Sequence, residues 1–515
     1  MKSEDHSRQI EVAAWLAERA DKVIETSCAS VYLVGDRALK VKKPVDFGYL
    51  DYSTLEKRHW ALERELAFNC ATAPDVYRGV RCVTRAARGG LEMDGAGPAV
   101  EYLLEMRRFD DEAVLSQRPW AIDDALEETL GRAVARFHAG AALRPESGQG
   151  ALGYTVPSNA AQFRKQVSVF GETVVASACA GTDAALAAAA GLLERRRAAG
   201  FLRRCHGDLH LGNILIENGA PVLFDCIEFN DALSDMDVLY DLGFLLMDLD
   251  FRRRTDAANR VLNSYLDEAA RSFPTAELYA GLGLLPLILS VRAGVRAQVS
   301  AHAGDAEAAR AYMAAAIRHL GAEPASLTAF GGLSGSGKST QARLAAPGLG
   351  ARPGAVILRT DEIRKRLWGV GALDRLPAEA YAPEVGRRVY ATLFDEAGAC
   401  LAAGRAVVLD AVFLRPEEVS LAIGKGGLNI KLASILTGYS IDVYRDVETE
   451  GEEDIYLDEF KDEIDEWVIE ALKNVGLATA KSVLRTPRED LIDRADLEED
   501  TVDNLLAVLR AEFEV

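Results

Sequence analysis

Three polar residues in "CHGDLHLGNILIENGAPVLFDCIEF" have the types and spacing for phosphoryl transfer. Asp208 is followed five residues on by Asn213, and then by Asp225 after a short strand-turn-strand pattern. Transfer from ATP needs one carboxylate to accept or orient the proton of the attacking hydroxyl, and an amide and a second carboxylate on magnesium. Asp208 fits the first role, Asn213 and Asp225 the others. Further on, "FGGLSGSGKSTQARLA" fits GxxxxGK[ST] from Gly332 to Ser339, between an apolar strand and a helix. In such a loop the backbone of Gly332, Leu333, Ser334, Gly335, Ser336 and Gly337, with the helix start through Thr340, cradles phosphates. Lys338 reaches the β- and γ-phosphates and Ser339 binds magnesium. "VILRTDEIRKRL" sets Asp361 and Arg364 one helical turn apart, able to face one acceptor hydroxyl and one phosphate. "RAVVLDAVF" ends a buried strand in Asp410, a second partner for that magnesium. The expected cofactors are ATP and Mg2+ at two separate sites.

The elements around these residues follow from pattern. Residues 28 to 42, "CASVYLVGDRALKVK", alternate apolar and polar about a Gly-Asp turn, which predicts a β-hairpin. A helix carrying Glu63 and Glu65 follows, then a strand in "PAVEYLLEMRRF". Residues 110 to 320 are rich in Ala, Leu and Arg with helical period, and the strand, glycine loop and helix order starts at Ser326. "GAEPAS" at 321 to 326 is the expected boundary. No apolar run approaches the ~20 residues of a membrane span, the first twenty residues are charged and amphipathic, and seven cysteines form no CxxC pair. A cytoplasmic location is expected. At 515 residues the chain should divide into several domains.

Charge divides it too. Residues 417 to 515 hold 26 Asp+Glu against 10 Lys+Arg, most of the net −20, and Lys to Arg usage changes there from 9 to 40 to 5 to 5. Within this part, "LAIGKGGLNIKLASILTGYSIDVYRDV" has an apolar helix, a GxxG loop of Gly424, Lys425, Gly426 and Gly427, a second helix and a strand, the heart of an RNA-contacting KH domain. Just after Asp225, Glu228, Asp231, Asp235 and Asp237 suggest an acidic mouth for a cationic acceptor, with a solvated charged face as the equal alternative.

The HGDxxxxN pattern and the following Asp225 resemble the catalytic loop of aminoglycoside phosphotransferases. In that resemblance Lys40 holds the α- and β-phosphates, with Lys42 as an alternative, Glu65 is the helix glutamate that pairs with the lysine, and Asp241 is a structural carboxylate. With the P-loop unit, residues 8 to 416 resemble the bacterial bifunctional aminoglycoside phosphotransferase/ATP-binding protein family. Residues 417 to 515 resemble the second KH domain of the transcription termination/antitermination factor NusA and the helix-hairpin-helix segment after it. The fold implied is multidomain α/β and α+β. A two-lobe, protein-kinase-like domain spans 1 to 325 and a P-loop α/β domain 326 to 416. The P-loop domain is truncated where the family continues into an Arg-rich lid and two more strands. A KH-like ααβ segment spans 417 to 447, and an acidic helical tail 448 to 515. The join near "VFLRPEE" reads as two coding sequences brought together. A small-molecule hydroxyl is the expected acceptor of the first domain. Weak nucleotide binding is expected of the second, and weak, salt-sensitive contact with single-stranded RNA of the KH loop.

Overall fold

Apolar and polar residues alternate in "ASVYLV" and "RALKVK", and Gly35 takes φ +57° between them, so the two strands close as a tight hairpin. The computed structural model that contains it describes residues 2–146, 149–321, 323–331 and 337–411, and shorter runs between 457 and 513. It divides into two compact units, Met1–Arg445 and Asp446–Val515.

In the first unit, strands β1 (Lys22–Glu25), β2 (Ala29–Val34), β3 (Arg37–Lys42), β4 (Tyr77–Arg85), β5 (Leu91–Met93) and β6 (Ala99–Arg107) form one antiparallel sheet in the order β1-β2-β3-β6-β4-β5. Helix α1 (Lys2–Ala17) covers one face through Val12 and Leu16 on Tyr32, Leu39, Val41 and Leu103. Helix α2 (Leu55–Asn69), capped by the Thr54 hydroxyl, covers the other through Leu62 on Leu33, Ala38 and Leu104. The period of two in the strands sorts these residues to opposite faces.

The second lobe is helical: α3 (Asp124–Gly140), α4 (Gly150–Lys165), α5 (Glu172–Ala198), α6 (Val238–Phe251), α7 (Thr255–Ala269), α8 (Leu285–His302) and α9 (Ala306–His319). Short strands β7 (Leu202–Arg204), β8 (Ile214–Glu217), β9 (Ala220–Leu223) and β10 (Asp235–Asp237) interrupt it, pairing β8 with β9 and β7 with β10. Helix α6 is buried on every side, as its near-continuous apolar sequence requires. Helices α3 and α7 meet at Gly131, where an added Cβ would lie 2.0 Å from Ser264 Oγ and 2.4 Å from the Val261 carbonyl oxygen.

Strands β11 (Leu327–Gly331), β12 (Val356–Arg359) and β13 (Val407–Ala411) form a parallel sheet in the order β11-β13-β12, three strands among the described residues. Helices α10 (Lys338–Ala345), α11 (Thr360–Trp368) and α12 (Pro383–Ala402) accompany it. This sheet shares one hydrophobic core with the helical lobe, since Leu358, Leu393, Cys400 and Leu409 pack in the same cluster as Leu262 and Leu266.

Helix α7 completes the sheet's edge. Asn259 Nδ2 donates to the Ala355 carbonyl (3.0 Å). Asn263 Nδ2 donates to the same oxygen (3.2 Å), while its Oδ1 accepts the Ile357 N–H (2.6 Å). Arg359 reaches Asp267 at 2.6 Å. Four residues of helix rise about 6 Å and two of strand about 6.6 Å. Side chains at 259, 263 and 267 therefore stay in step with strand residues 355, 357 and 359. Two groups that a neighbouring strand would satisfy, the Ala355 carbonyl and the Ile357 N–H, are satisfied by a helix.

The expectation of no span-length apolar run is corrected. Glu172–Ala198 and Thr275–His302 are each long and apolar enough to cross a membrane by length and composition. Alanine accounts for much of the first, and the second is 78% buried inside the protein, which explains its hydropathy as core. In the second unit, α13 (Glu466–Asn474), α14 (Ala480–Leu484), α15 (Arg488–Ala495) and α16 (Glu499–Phe513) pack around Leu472, Val483, Leu491, Leu505 and Leu509. The KH-type loop at Gly424, Lys425, Gly426 and Gly427 lies outside the described residues.

Asn263→Leu takes the acceptor from the buried Ile357 N–H on β12, at about 1–3 kcal/mol, and leaves the Ala355 carbonyl to Asn259. Tryptic cleavage after Arg359 should then speed up at least tenfold, while the exposed substitution Arg387→Ala leaves it unchanged; equal rates in all three proteins would refute the edge-completion role of α7.

Candidate active site

Lys40 and Lys42 lie two residues apart on β3 and so share a face. Lys40 Nζ donates to Glu65 Oε1 and to Asp225 Oδ1, both at 2.7 Å. Lys42 Nζ lies 2.5 Å from Glu65 Oε2 and 2.6 Å from Glu228 Oε1. Glu65, on α2, is fully buried and takes one lysine on each oxygen. Burial alone would lower the pKa of both ammonium groups. The carboxylates outweigh it, Asp225 and Glu65 for Lys40, Glu228 and Glu65 for Lys42, and both stay charged. The two lysines thus have separate partners, and Lys40 is the one that touches Asp225.

The loop before β8 brings Asp208 and Asn213 together. Asn213 Nδ2 donates to Asp208 Oδ2 at 3.0 Å and to its carbonyl at 2.9 Å. His210 Nε2 lies 3.4 Å from Asp208 Oδ2, and its Nδ1 accepts the Gly212 N–H at 2.9 Å, so the neutral ring carries its proton on the side of Asp208. Burial pushes the Asp208 carboxyl up, but His210, His206 and Arg292 outweigh it and hold it below the usual carboxylate range. The carboxylate is ionised at neutral pH, as a group that orients a hydroxyl must be. Asp225 behaves alike: burial raises its pKa and Lys40 lowers it further than that.

Asp241 fixes this loop from below. Its Oδ1 accepts the Gly207 N–H (2.9 Å) and its Oδ2 the His206 N–H (3.0 Å), with His138 Nε2 at 3.1 Å and Tyr265 OH beyond that ring at 3.0 Å. Arg292 Nη1 donates to the Gly207 carbonyl at 3.1 Å. Asp241 and His138 are fully buried, so Asp208 sits on a solvent-free hydrogen-bonded base. His138, Cys205 and Asp241 also lie close enough to hold a metal ion, but Asp241 spends both oxygens on backbone amides and on His138.

The acidic mouth is corrected by the pairings. Glu228 is taken by Lys42 and Tyr52, Asp231 by Arg64 and Arg204, Asp235 by Arg144 at 3.3 Å, and Asp237 by Arg196 at 2.6 Å. Each charge is neutralised within the fold.

At the second site, Gly337 has φ +81° and opens α10, whose first residues are Lys338, Ser339 and Thr340. Ser339 Oγ donates to Asp410 Oδ2 at 2.6 Å, bringing the two magnesium candidates of the sequence together. Gly332, Leu333, Ser334, Gly335 and Ser336 lie outside the described residues. Asp361 and Arg364 do not converge: Asp361 pairs with Lys365 at 3.1 Å, and Arg364 donates to the Ala380 carbonyl at 2.7 Å beside Tyr381. Asp208, Asn213 and Asp225 in one site, and Ser339 and Asp410 in the other, are oxygen donors of the kind a hard divalent cation takes.

Sequence reading missed His210 and the partners of Lys42. His210 stands two residues from Asp208 in "HGDLH", a spacing that could have flagged it. Tyr52 carries no signal in the sequence and Glu228 counts there only toward an acidic mouth, because only the fold brings the two 2.5 Å apart.

The chain matches the family model of a phosphotransferase enzyme family over residues 89–278, an AAA domain over 327–424 and a NusA-like second KH domain over 410–451. It is 31% identical over 413 residues to the uncharacterized proteins Rv2004c and MT2060 of Mycobacterium tuberculosis, covering 77% of this chain and 79% of each of theirs. Mb2027c of Mycobacterium bovis matches to the same extent. Among solved structures, a choline/ethanolamine kinase family protein from Mesorhizobium loti is 14% identical with a TM-score of 0.37, covering 62% of this chain and 95% of that one. A choline kinase from Cryptosporidium parvum is 8% identical with a TM-score of 0.41, over 61% and 94%. The aminoglycoside phosphotransferase APH(4)-Ia is 16% identical with a TM-score of 0.35, over 60% and 99%.

Asp241→Asn turns an amide hydrogen toward a backbone N–H that needs an acceptor. Amide exchange at His206 and Gly207 should accelerate by about tenfold to a hundredfold, with α2 unaffected; unchanged exchange at both residues would show that the loop does not hang on Asp241.

Proposed function

We propose, for a chain that belongs to the same family as the mycobacterial proteins Rv2004c, MT2060 and Mb2027c, that it transfers the γ-phosphoryl group of ATP to a hydroxyl of a small molecule. That the chain is a phosphotransferase follows from its match to that enzyme family over 89–278. The observation that carries the finer reading is the convergence of Lys40, Glu65 and Asp225 across two lobes, with Asp208 and Asn213 on a fixed loop.

In this reading Lys40 binds the α- and β-phosphates and Glu65 aims it. Asp208 accepts a hydrogen bond from the acceptor hydroxyl, orients its oxygen toward the γ-phosphorus, and takes the proton as the new P–O bond forms and the bond to ADP breaks. Asn213 and Asp225 would hold magnesium, which when bound neutralises charge on the transferring group. Asn213 also keeps the Asp208 carboxylate turned toward the acceptor side. The acceptor is proposed to enter by a cleft of about 420 Å³ lined by Tyr49, Leu50, Trp60, Phe229 and Asn230, next to the segment that follows Asp225. Lys338, Ser339 and Asp410 would hold a second ATP and its magnesium. Asp361 and Arg364 would turn toward an acceptor there only by leaving their present partners.

Asp208→Ala should abolish phosphoryl transfer from labelled ATP to an active acceptor, found by screening hydroxylated small molecules, while equilibrium ATP binding stays within about threefold, since its role lies in the transition state. Transfer by the variant at the wild-type rate would refute the assignment.

A second reading is favoured by the KH match over 410–451. The GxxG loop at 424 to 427 would contact the phosphates of single-stranded RNA, weakly because the surrounding region is acidic. At low salt the protein should bind a single-stranded oligonucleotide, and changing both Lys425 and Gly426 to Asp should eliminate that binding. An unmodified protein that binds no RNA at low salt disposes of this reading.

A further inference from the structure

The segment that carries Asp225 leaves the helical lobe at β9, yet its hydrogen bonds after that point run mainly to the first lobe. The Asp225 N–H donates to Tyr77 OH at 3.0 Å, and the Cys226 N–H to Asn69 Oδ1 at 2.9 Å. Three residues on, the Glu228 carboxylate receives Lys42 Nζ at 2.6 Å and Tyr52 OH at 2.5 Å, and the Glu228 carbonyl receives Arg64 Nε at 2.9 Å. Tyr77, Asn69, Lys42, Tyr52 and Arg64 all belong to the β-sheet lobe.

Asp225 itself has φ +63°. An L-residue with a side chain adopts that left-handed conformation at a cost, and it persists only where surrounding contacts impose it. A carboxylate on such a residue relaxes away when its anchor is cut. Lys42 and Glu228 are the strongest anchor available, since both are almost wholly buried and neither can trade its partner for water. Lys42 also occupies Glu65 Oε2, which leaves Oε1 to hold Lys40 beside Asp225.

We infer that Lys42 and Glu228, backed by Tyr52, form a positioning clamp that holds Asp225 in its metal-ready conformation. Cation affinity at this site is set by a lysine and a glutamate that touch neither metal nor nucleotide. The clamp rests on the proposed role of Asp225 as a magnesium ligand, and it gives Lys42 a function separate from that of Lys40.

The test uses the full chain carrying Lys338→Ala, which silences the phosphate loop. Mn2+ is titrated in the presence of ADP, and free Mn2+ is read by electron paramagnetic resonance. Glu228→Gln keeps the shape and a hydrogen-bonding oxygen for Tyr52 but loses the charge that holds Lys42. It should raise the half-saturating Mn2+ concentration about tenfold or more, the usual effect of removing an outer support of a metal ligand. Tyr52→Phe, a milder cut of the same clamp, should raise it by less. Affinity for metal-free ADP should move little in either. The melting temperature falls in Glu228→Gln, which leaves Lys42 with Glu65 alone, so Mn2+ is titrated well below the transition of each variant, where a general loss of stability does not enter. If Asp225→Ala loses Mn2+ while folded Glu228→Gln and Tyr52→Phe bind it as the parent does, the clamp is wrong and the metal assignment stands. If Asp225→Ala binds Mn2+ as the parent does, the metal assignment fails and takes the clamp with it.

Discussion

Glu65 is the constraint on which the first site is built. Its side chain is fully buried and bears one charge on two oxygens, each held by a different lysine of the same strand. An unpaired carboxylate in that position would cost several kcal/mol, so α2 can seat only where Lys40 and Lys42 both reach it. The lysines in turn reach across to Asp225 and Glu228 on the other lobe. The position of one helix, the face of one strand and the approach of the two lobes are thereby set by a single buried charge and the need to satisfy it. The candidate site and the joining of the two lobes are one structural problem here.

The same logic of satisfying buried polar groups joins the three-stranded parallel sheet to the helical lobe. A strand edge exposes unpaired N–H and C=O groups, and the usual remedy is another strand. Here Asn259 and Asn263, one turn apart on a helical face, take that place beside β12, and Asp267 a turn further on pairs with the Arg359 side chain. Asparagine suits the task because its amide both donates and accepts, as a peptide group does. The shared core of Leu262, Leu266, Leu358 and Leu409 then excludes water from the joint.

How much of this could be read in advance depended on how local the signal was. The β2–β3 hairpin and the Asp208 to Asn213 contact each lie within fourteen residues of chain, and turn chemistry or strand period fixes them. Strand period even kept Lys42 beside Lys40, because residues two apart share a face. What it did not supply was their division of labour, which depends on Glu228, distant by 186 positions along the chain. The α7 ladder was hidden for the same reason: Asn259, Asn263 and Asp267 read as ordinary polar residues until β12 lies against them. Asp361 and Arg364 lie one helical turn apart as their spacing requires, and each holds a local partner, Lys365 for one and the Ala380 carbonyl for the other.

The acidic stretch after Asp225 illustrates why a count of charges is a poor guide to a binding mouth. Glu228, Asp231, Asp235 and Asp237 attract a cation only if their field reaches solvent. Arg64, Arg144, Arg196 and Arg204 stand within ion-pair distance of Asp231, Asp235 and Asp237, and Lys42 neutralises Glu228 in the interior. Asp231 is exposed and its pairing is the weaker one. Glu228, Asp235 and Asp237 are buried, and their pairs fix the backbone that carries them, because breaking one leaves a charge buried and uncompensated. Their number then measures how firmly the segment beyond Asp225 is held. The surface left open beside that segment is aromatic: Tyr49 and Trp60 expose about half of their area and Phe229 lines the same cleft. The acidic stretch therefore holds the backbone beyond Asp225 through ion pairs, while the cleft beside it keeps an aromatic wall open to solvent.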